Sequence, residues 1–538
     1  MLGNSSPLFE GRRFSAPFMY ACVSGFGLLV SVLTLEISHH VALGNPAILL
    51  YALVLMLPAI LTVLSPDAGL IAVLMAALLS WAIPALIPQL SAFSADTTFA
   101  VAVLTAWVGL LFRTWFYRER LSATFLRWPL VAFSLWVLLS FGWNYWHVPA
   151  GRSIFVTGLK GLLTTAAFFL FAANALRTEG ALRRYLLVIV FASVPLSLVA
   201  YLQYGWLYFG LRYSTIHPAL DTLAAHVTFG VRLAGTLSDA GILSFYYLVA
   251  VSLAVMFLCL PATGRRMRIA LWCTILFDVW PFLVTFTKST LVVAFLALLV
   301  LAWMRRSWRV ALGTVVISAA GWAALTFIPF SSILANLGAN ALGYGLQQDG
   351  DLTQRLQFMR QCAGAIPGHA LLGVGPLGSE LVTGVHCHSL PIEVATDFGL
   401  VGFAIFGWLL WRLGVLCWRA RLERPGTLLE GLGQTNIALL VGFGILAFVW
   451  PLINFTLPWF LSIEAVIVGG FLYPRSRQAG LPGASQALPT AQQGETENIA
   501  RVPAGARSAA SLAGAKNAGP GEGEPSFAPS TQESAPES

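Results

Sequence analysis

The chain has 538 residues, of which 57% are hydrophobic and 10% are charged, and its formal net charge is +8. Soluble domains contain roughly 25% charged residues, and this many apolar side chains exceed what one soluble core can bury. The composition therefore excludes an ordinary soluble enzyme and indicates that lipid covers much of the surface. We expect no nucleic-acid partner, because arginine-rich loops are usual on the cytoplasmic side of membrane proteins.

Apolar segments of about 20 residues, the length at which a helix crosses a bilayer, follow one another along most of the chain. They predict an all-α, polytopic membrane protein with about 12–14 transmembrane helices. The two segments around Lys288 could instead form one re-entrant element. The predicted spans start near residues 18, 46, 68, 97, 128, 154, 185, 238, 268, 289, 308, 398, 436 and 457.

Arginines concentrate in short segments that all fall on one side of the membrane when the spans are counted. Such a bias marks the cytoplasmic side. Both termini are therefore predicted to be cytoplasmic, and residues 209–237 and 331–397 are predicted to face outward. The basic segments are RTWFYRER (113–120), RTEGALRR (177–184), TGRRMR (263–268), RRSWR (305–309) and WRARLER (418–424).

Two regions differ in composition. Residues 1–473 form the predicted transmembrane domain, which includes the large structured outward loop at about 331–397. Residues 474–538 are rich in Ala, Gly, Pro, Ser, Gln and Glu and contain few large apolar side chains. Such a segment buries too little surface to offset its ordering entropy, so we expect a disordered cytoplasmic tail.

The outward loop contains the residues that are best suited to catalysis or to binding. It carries two arginines in DLTQRLQFMR, the glycine turn HALLGVGPLG and the segment GVHCHSLPIEVATDFGLVG, which leads directly into an apolar helix. This combination predicts a structured lid over the membrane surface. Cys362 and Cys387 lie in this loop, where an oxidising compartment could link them. With His386 and His388 they could instead suggest zinc, but the spacing matches no standard zinc site, and we expect no metal.

Three motifs resemble the O-antigen ligase and polymerase superfamily of bacterial membrane glycosyltransferases. His388 and Ser389 are followed by nine residues, Gly399, two residues and Gly402, which is similar to the family pattern of His, then Asn, Ser or Gln, then nine residues before Gly-x-x-Gly. The run from Gly373 to Pro376 is similar to the family's Gly-Val-Gly-Pro turn. The other similarities are Arg355 upstream of that turn and Arg232 in VRLAGTLSDAG, which is similar to the family's Arg-x-x-Gly-Thr segment.

The resemblance covers roughly residues 230–410, and it has two departures. Lys288 in TFTKSTL stands where the family often has arginine, and Ser389 stands where asparagine is commoner. Neither departure removes a charge. They leave open whether the chain is similar to the ligase or to the polymerase branch.

The resemblance implies an inverting glycosyltransferase of the bacterial inner membrane whose active site faces the periplasm. The implied donor is an undecaprenyl-diphosphate-linked glycan, and the acceptor is a hydroxyl of a lipid A-core sugar, a growing polysaccharide or a protein. Neither a cofactor nor a metal is implied. His388 would accept the acceptor's proton, since histidine titrates near neutrality. The glycines Gly373, Gly375, Gly399 and Gly402 would support the turn.

Arginine suits the binding of a diphosphate because its planar fork donates paired hydrogen bonds and stays charged. We therefore expect Arg232, Arg355 and Lys288 to bind the donor's diphosphate and to stabilise it as it leaves. Without the motifs, an arginine near the end of a span would more simply extend to the membrane interface.

The competing hypothesis is a polytopic transporter or flippase for a glycolipid or small anion. Asp278 and Glu464 lie inside apolar segments, where ionisable groups are costly and often functional. They could couple transport to protons, or they could pair with neighbouring polar groups. No internal repeat of fixed period is evident, which weakens the hypothesis of a transporter built from inverted repeats.

Overall fold

The computed structural model describes residues 47–79, 95–213, 224–315 and 349–447, apart from 120, 122–125, 225–226, 229–231, 234, 238–239, 286–287, 309, 386 and 423–425. The first and last predicted spans, the predicted disordered tail, both termini, the domain boundary at 473, His386 and Glu464 lie outside the described residues. So does the first part of the predicted outward loop, residues 331–348.

Helices make up nearly all of the described chain, as predicted for an all-α protein. They are α1 Ala47–Leu64, α2 Pro66–Leu79, α3 Ala95–Phe116, α4 Arg127–His147, α5 Arg152–Ala175, α6 Glu179–Phe191, α7 Ser193–Phe209, α8 Ala240–Cys259, α9 Arg265–Val284, α10 Lys288–Met304, α11 Asp349–Ala365, α12 Gly378–Thr383, α13 Leu390–Arg421 and α14 Leu428–Ala447. Two 3-10 turns are Pro149–Gly151 and Pro367–His369. The strands in this part of the chain are β1, Val227–Thr228, and β2, Arg232–Leu233, which pair antiparallel.

Seven helical segments within the described residues are long and apolar enough to cross a membrane, which is the pattern of a polytopic membrane protein. They are Thr98–Phe116, Pro149–Ala175, Glu179–Leu207, Ala240–Cys259, Arg265–Val284, Leu390–Arg421 and Leu428–Ala447. Three shorter apolar helical segments, Leu55–Leu64, Pro66–Leu79 and Val292–Met304, also correspond to predicted spans.

Helix α4 has one face with exposed apolar side chains and one face that is buried. Leu135, Leu139 and Trp146 are exposed although they are large and apolar. A position such as Ser140, on the opposite side of the helix, is fully buried. This inversion of the soluble pattern is expected where lipid tails replace water around the helix.

Helix α8 lies at the centre of the bundle. It packs against α6, α7, α9, α10 and α14, and most of its residues are buried. A helix that is apolar on every side is typical of the core of a bundle or of a membrane span. Strand β2 lies against α7, α8 and α9, so the segment that contains Arg232 sits at one end of this central group.

Two predicted boundaries are refined by the structure. The segments around Lys288 form two helices, because α9 ends at Val284 and α10 starts at Lys288. The sequence predicts that the outward loop ends at 397, but α13 already begins at Leu390 and contains a break at Gly399, where the backbone has φ 69° and ψ 179°. The predicted start near 398 therefore corresponds to this break, since apolar composition does not reveal the polar helical turns that precede it.

An ion network connects three helix ends on the side where the basic segments lie. Glu119 forms ion pairs with Arg113 and with Arg177, the latter at 3.1 Å between Nη1 and Oε2. Arg113 also donates from Nη1 to the carbonyl oxygen of Val63, at the end of α1. The hydrogen bond from Arg113, together with the positive charge of Arg177, lowers the pKa of Glu119 from its usual value.

We expect Glu119→Gln to lower the midpoint of thermal unfolding in detergent at neutral pH by about 1–2 °C, since a partly exposed ion pair contributes about 1 kcal/mol or less. The stabilisation is present above the unfolded pKa of Glu119 and is lost as the pH falls through its lower folded pKa. The difference between the two proteins should therefore disappear on acidification, as measured by the unfolding midpoint against pH. A difference that grows in acid would contradict this assignment.

Candidate functional site

Helix α13 is broken near Gly399, and the glycine turn at residues 370–375, which precedes α12, makes backbone hydrogen bonds with the broken segment. In an unbroken helix the carbonyl of Thr396 would accept a hydrogen bond from the N–H of Leu400. Here the Leu400 N–H instead donates to the Ala370 carbonyl at 2.8 Å, and the Thr396 carbonyl accepts from Val374 N–H at 2.9 Å. The carbonyl of Asp397 accepts from the N–H of Gly375, also at 2.9 Å. The turn therefore replaces the backbone partners that the break removes.

Glycine is required at the closest contacts between the turn and the break. Gly373 has φ 71°, and a Cβ atom there would lie 2.2 Å from the carbonyl oxygen of Asp397. A Cβ at Gly399 would lie equally close to the carbonyl of Leu371. Gly375 has φ 94°, and Gly402 leaves room for the indole of Trp136. These positions are the four glycines that the sequence predicts as supporting the turn.

Three side chains on one face of α4 donate hydrogen bonds to carbonyls of the turn and of the broken segment of α13. Trp136 Nε1 donates to the Phe398 carbonyl at 2.8 Å, and Ser140 Oγ donates to the Leu372 carbonyl at 2.7 Å. Asn144 Nδ2 donates to the Gly373 carbonyl at 3.3 Å. The three side chains are spaced four residues apart, so they lie on one face of the helix. None of the three is among the predicted site residues, although polar residues at this spacing in an apolar span are a usable signal.

Asp397 joins the turn to α13 through its side chain. It is fully buried, and its carboxylate accepts hydrogen bonds from the backbone N–H groups of Leu377 at 3.0 Å and Ser379 at 2.8 Å. Glu393, one turn earlier, is also buried, and within the described residues its Oε2 has no hydrogen-bond partner. Neither residue is among the predicted site residues. Both lie in the stretch between the histidine and Gly399, where an acidic residue entering an apolar segment is unusual.

His388 lies at the junction between the loop and α13. It is half-buried and has a left-handed backbone conformation, with φ 51°. Its imidazole ring stacks on the ring of Phe358, with 5.8 Å between the centroids and 18° between the planes. Phe358 belongs to α11, which packs against both α12 and α13.

The cysteines of the loop form a disulfide. Cys362 on α11 and Cys387 are bonded, and their Cα atoms are 5.7 Å apart. The link that the sequence suggested between these two residues is confirmed. Because a disulfide sulfur is not a thiolate ligand, the alternative zinc site with these two cysteines is removed.

Among the predicted cationic residues, Arg355 lies on α11, the helix that contacts His388. Arg355 is half-buried on α11, three residues before Phe358, so both side chains lie on neighbouring positions of one helix face. Arg232 lies on β2, and Lys288 is the first residue of α10. The side chains of Arg232 and Lys288 are outside the described part of the structure, so their convergence with His388 stays a prediction.

Asp278, which could support a transporter, is paired inside the bundle. Its carboxylate accepts hydrogen bonds from Ser193 Oγ at 2.5 Å and from Ser197 Oγ at 2.6 Å. Ser197 Oγ also bonds to the hydroxyl of Tyr247. These contacts connect α9 with α7 and α8, and they match the hypothesis that Asp278 pairs with neighbouring polar groups.

Comparison with known proteins adds no relative: no family model matches the chain, and no curated protein matches it. The resemblance described above therefore depends on the motifs and their arrangement.

We expect Gly373→Ala to destabilise the protein by about 2 kcal/mol, because the new Cβ meets the Asp397 carbonyl and the residue must keep a positive φ. Thermal unfolding in detergent measures the effect. Gly364→Ala is the matched control, since a Cβ at that helical glycine meets no atom within 4 Å. Equal stability of the two variants would show that the turn does not depend on this close approach.

Proposed function

We propose that the chain is an O-antigen ligase-like glycosyltransferase that transfers a polyprenyl-diphosphate-linked glycan to an acceptor hydroxyl during the assembly of cell-surface polysaccharide. One observation carries the proposal. His388 contacts α11, the helix that bears Arg355, at the start of an apolar helix long enough to cross a membrane. A base and a cation at such a position suit a substrate whose lipid lies in the bilayer and whose glycan lies outside it.

The proposed reaction is a single displacement at the anomeric carbon. A nitrogen of His388 accepts the proton of the acceptor hydroxyl as its oxygen attacks that carbon. The bond between the anomeric carbon and the phosphate oxygen breaks, and the polyprenyl diphosphate leaves with the electron pair. Arg355, with Arg232 and Lys288, stabilises the charge on the departing diphosphate. Attack from the face opposite the leaving group inverts the anomeric configuration.

The disulfide supports a site on the outer side of the bacterial inner membrane. Disulfides persist in oxidising compartments such as the periplasm and are rare in the cytosol. Cys387 directly precedes His388, so a disulfide at Cys362 and Cys387 favours a periplasmic position for the histidine as well. This agrees with the side predicted from the arginine-rich segments and with the prediction that both termini are cytoplasmic.

The acceptor is a hydroxyl of a lipid A-core sugar, of a growing polysaccharide or of a protein. The three acceptors require the same proton transfer and the same leaving group, so the residue types are shared among them. Lipid-linked single repeats would accumulate in cells without a polymerase, and lipid-linked long chains would accumulate in cells without a ligase. The lipid-linked glycans that accumulate in a deletion strain therefore distinguish a polymerase from a ligase.

His388→Ala should lower glycan transfer by on the order of 100-fold or more, because it removes the base that accepts the hydroxyl proton. Donor binding should change little. His369→Ala is the matched control, since His369 is an exposed histidine of the same loop. Transfer by membranes containing each variant is measured with a lipid-linked donor. Normal transfer by His388→Ala would remove the proposed base, and loss of donor binding alone would contradict its role as a base.

Arg355→Lys should lower transfer by roughly 10–100-fold although the charge is kept, because lysine cannot reproduce the paired hydrogen bonds of a guanidinium. Arg232→Lys should behave in the same way. Arg360→Lys is the matched control, since Arg360 is an exposed arginine on the same helix as Arg355. The same transfer assay measures all three, and full activity of both Arg355→Lys and Arg232→Lys would place the diphosphate elsewhere.

A further inference from the structure

The conformation of His388 requires support from its surroundings. A positive φ is uncommon for a residue with a side chain and is strained, and His388 has φ 51°. Ser389, which follows it, is buried and precedes the first residue of α13. Cys387, which precedes it, is buried in a disulfide. The histidine is thus the half-exposed residue between two fixed neighbours.

The imidazole is supported on its face by Phe358. The two rings are nearly parallel, at 18°, with their centroids 5.8 Å apart. A phenyl ring on the face of an imidazole does not itself bond to the ring nitrogens, because their lone pair and N–H lie in the ring plane. A stacked phenyl ring therefore restricts rotation of the imidazole without occupying the atoms that would exchange a proton.

Two links keep α11, and with it Phe358, beside His388. Cys362 lies one helical turn after Phe358 and is bonded to Cys387, the residue before His388. The hydroxyl of Thr396 on α13 lies 3.3 Å from the Cys362 carbonyl and shares its proton between that carbonyl and the Ile392 carbonyl, which is at 2.8 Å. The disulfide and the hydrogen bond both act at the end of α11 nearest the ring pair, so a shift of α11 along α13 is opposed at that point.

We propose that Phe358 is a positioning residue for His388, and that the Cys362–Cys387 disulfide holds the two rings in register. The stack fixes the plane of the imidazole, and this plane determines which direction a ring nitrogen faces. General-base catalysis depends on that direction, since the nitrogen must lie on the line of the departing hydroxyl proton. The role of the orientation rests on the proposed function, whereas the ring contact itself does not.

Substitutions at Phe358 separate stacking from simple burial. Phe358→Leu keeps an apolar side chain but removes the flat ring, and it should lower kcat by up to about 100-fold with little change in KM, since small misplacements of a catalytic group have effects of that size. Phe358→Tyr and Phe358→Trp keep a flat ring and should restore most of kcat. Leu356→Ala, at an exposed apolar residue of the same helix, is the control and should leave kcat unchanged.

A spectroscopic measurement tests the contact without using activity. In the full-length protein in lipid nanodiscs, the ring protons of His388 should show the chemical-shift displacement that a stacked phenyl ring causes. The signals are assigned by their loss in His388→Ala. Phe358→Leu should abolish the displacement. The double variant Cys362→Ser with Cys387→Ser should reduce it, whereas Cys273→Ser, at an exposed free cysteine, should not.

The two measurements have separate outcomes. A displaced His388 signal in a protein that transfers no glycan would support the ring contact and overturn the proposed function. Glycan transfer with unchanged kcat in Phe358→Leu, or a His388 signal that Phe358→Leu does not alter, would overturn the positioning role and leave the proposed function intact. If Phe358→Leu lowers kcat and Phe358→Tyr and Phe358→Trp lower it equally, the positioning role is also overturned, because the flat ring is then not what matters.

Discussion

The exchange of backbone hydrogen bonds at the break in α13 is the constraint on which the candidate site depends. A helix that breaks near a membrane leaves N–H and C=O groups without partners, and lipid supplies none. Here the carbonyls of Thr396 and Asp397 and the N–H of Leu400 all bond to the segment from Ala370 to Gly375. Each such group would be costly if buried without a partner, so the break and the turn must form together.

The position of the histidine follows from this exchange. The turn is fixed to α13 by its backbone, and Asp397 fixes the start of α12 through two further N–H groups. The disulfide then ties α11 to the residue before His388. On α4, Ser140 and Asn144 donate hydrogen bonds to the carbonyls of Leu372 and Gly373 in the turn. The loop is therefore a packed structure in which one half-exposed imidazole is held at the beginning of a long apolar helix.

The sequence predicted a helical, polytopic membrane protein because the length and apolarity of a span are local properties of the chain. It also identified Gly373, Gly375, Gly399 and Gly402 as positions of interest, and Cys362 and Cys387 as a pair. The contributions of Trp136, Ser140 and Asn144 could not be assigned, because their partners lie 229–262 residues away along the chain. Phe358 was missed for the same reason, since an aromatic residue on a helix becomes informative only when its neighbour in space is known.

The most direct measurement of the central claim is reconstitution of the purified full-length protein in vesicles with a polyprenyl-diphosphate-linked glycan and a soluble acceptor sugar. The proposed function predicts that free polyprenyl diphosphate is released in proportion to the acceptor glycosylated, and that the new bond has inverted anomeric configuration. Movement of the intact glycolipid from one leaflet to the other without cleavage of its phosphate bond would contradict it and would favour a transporter.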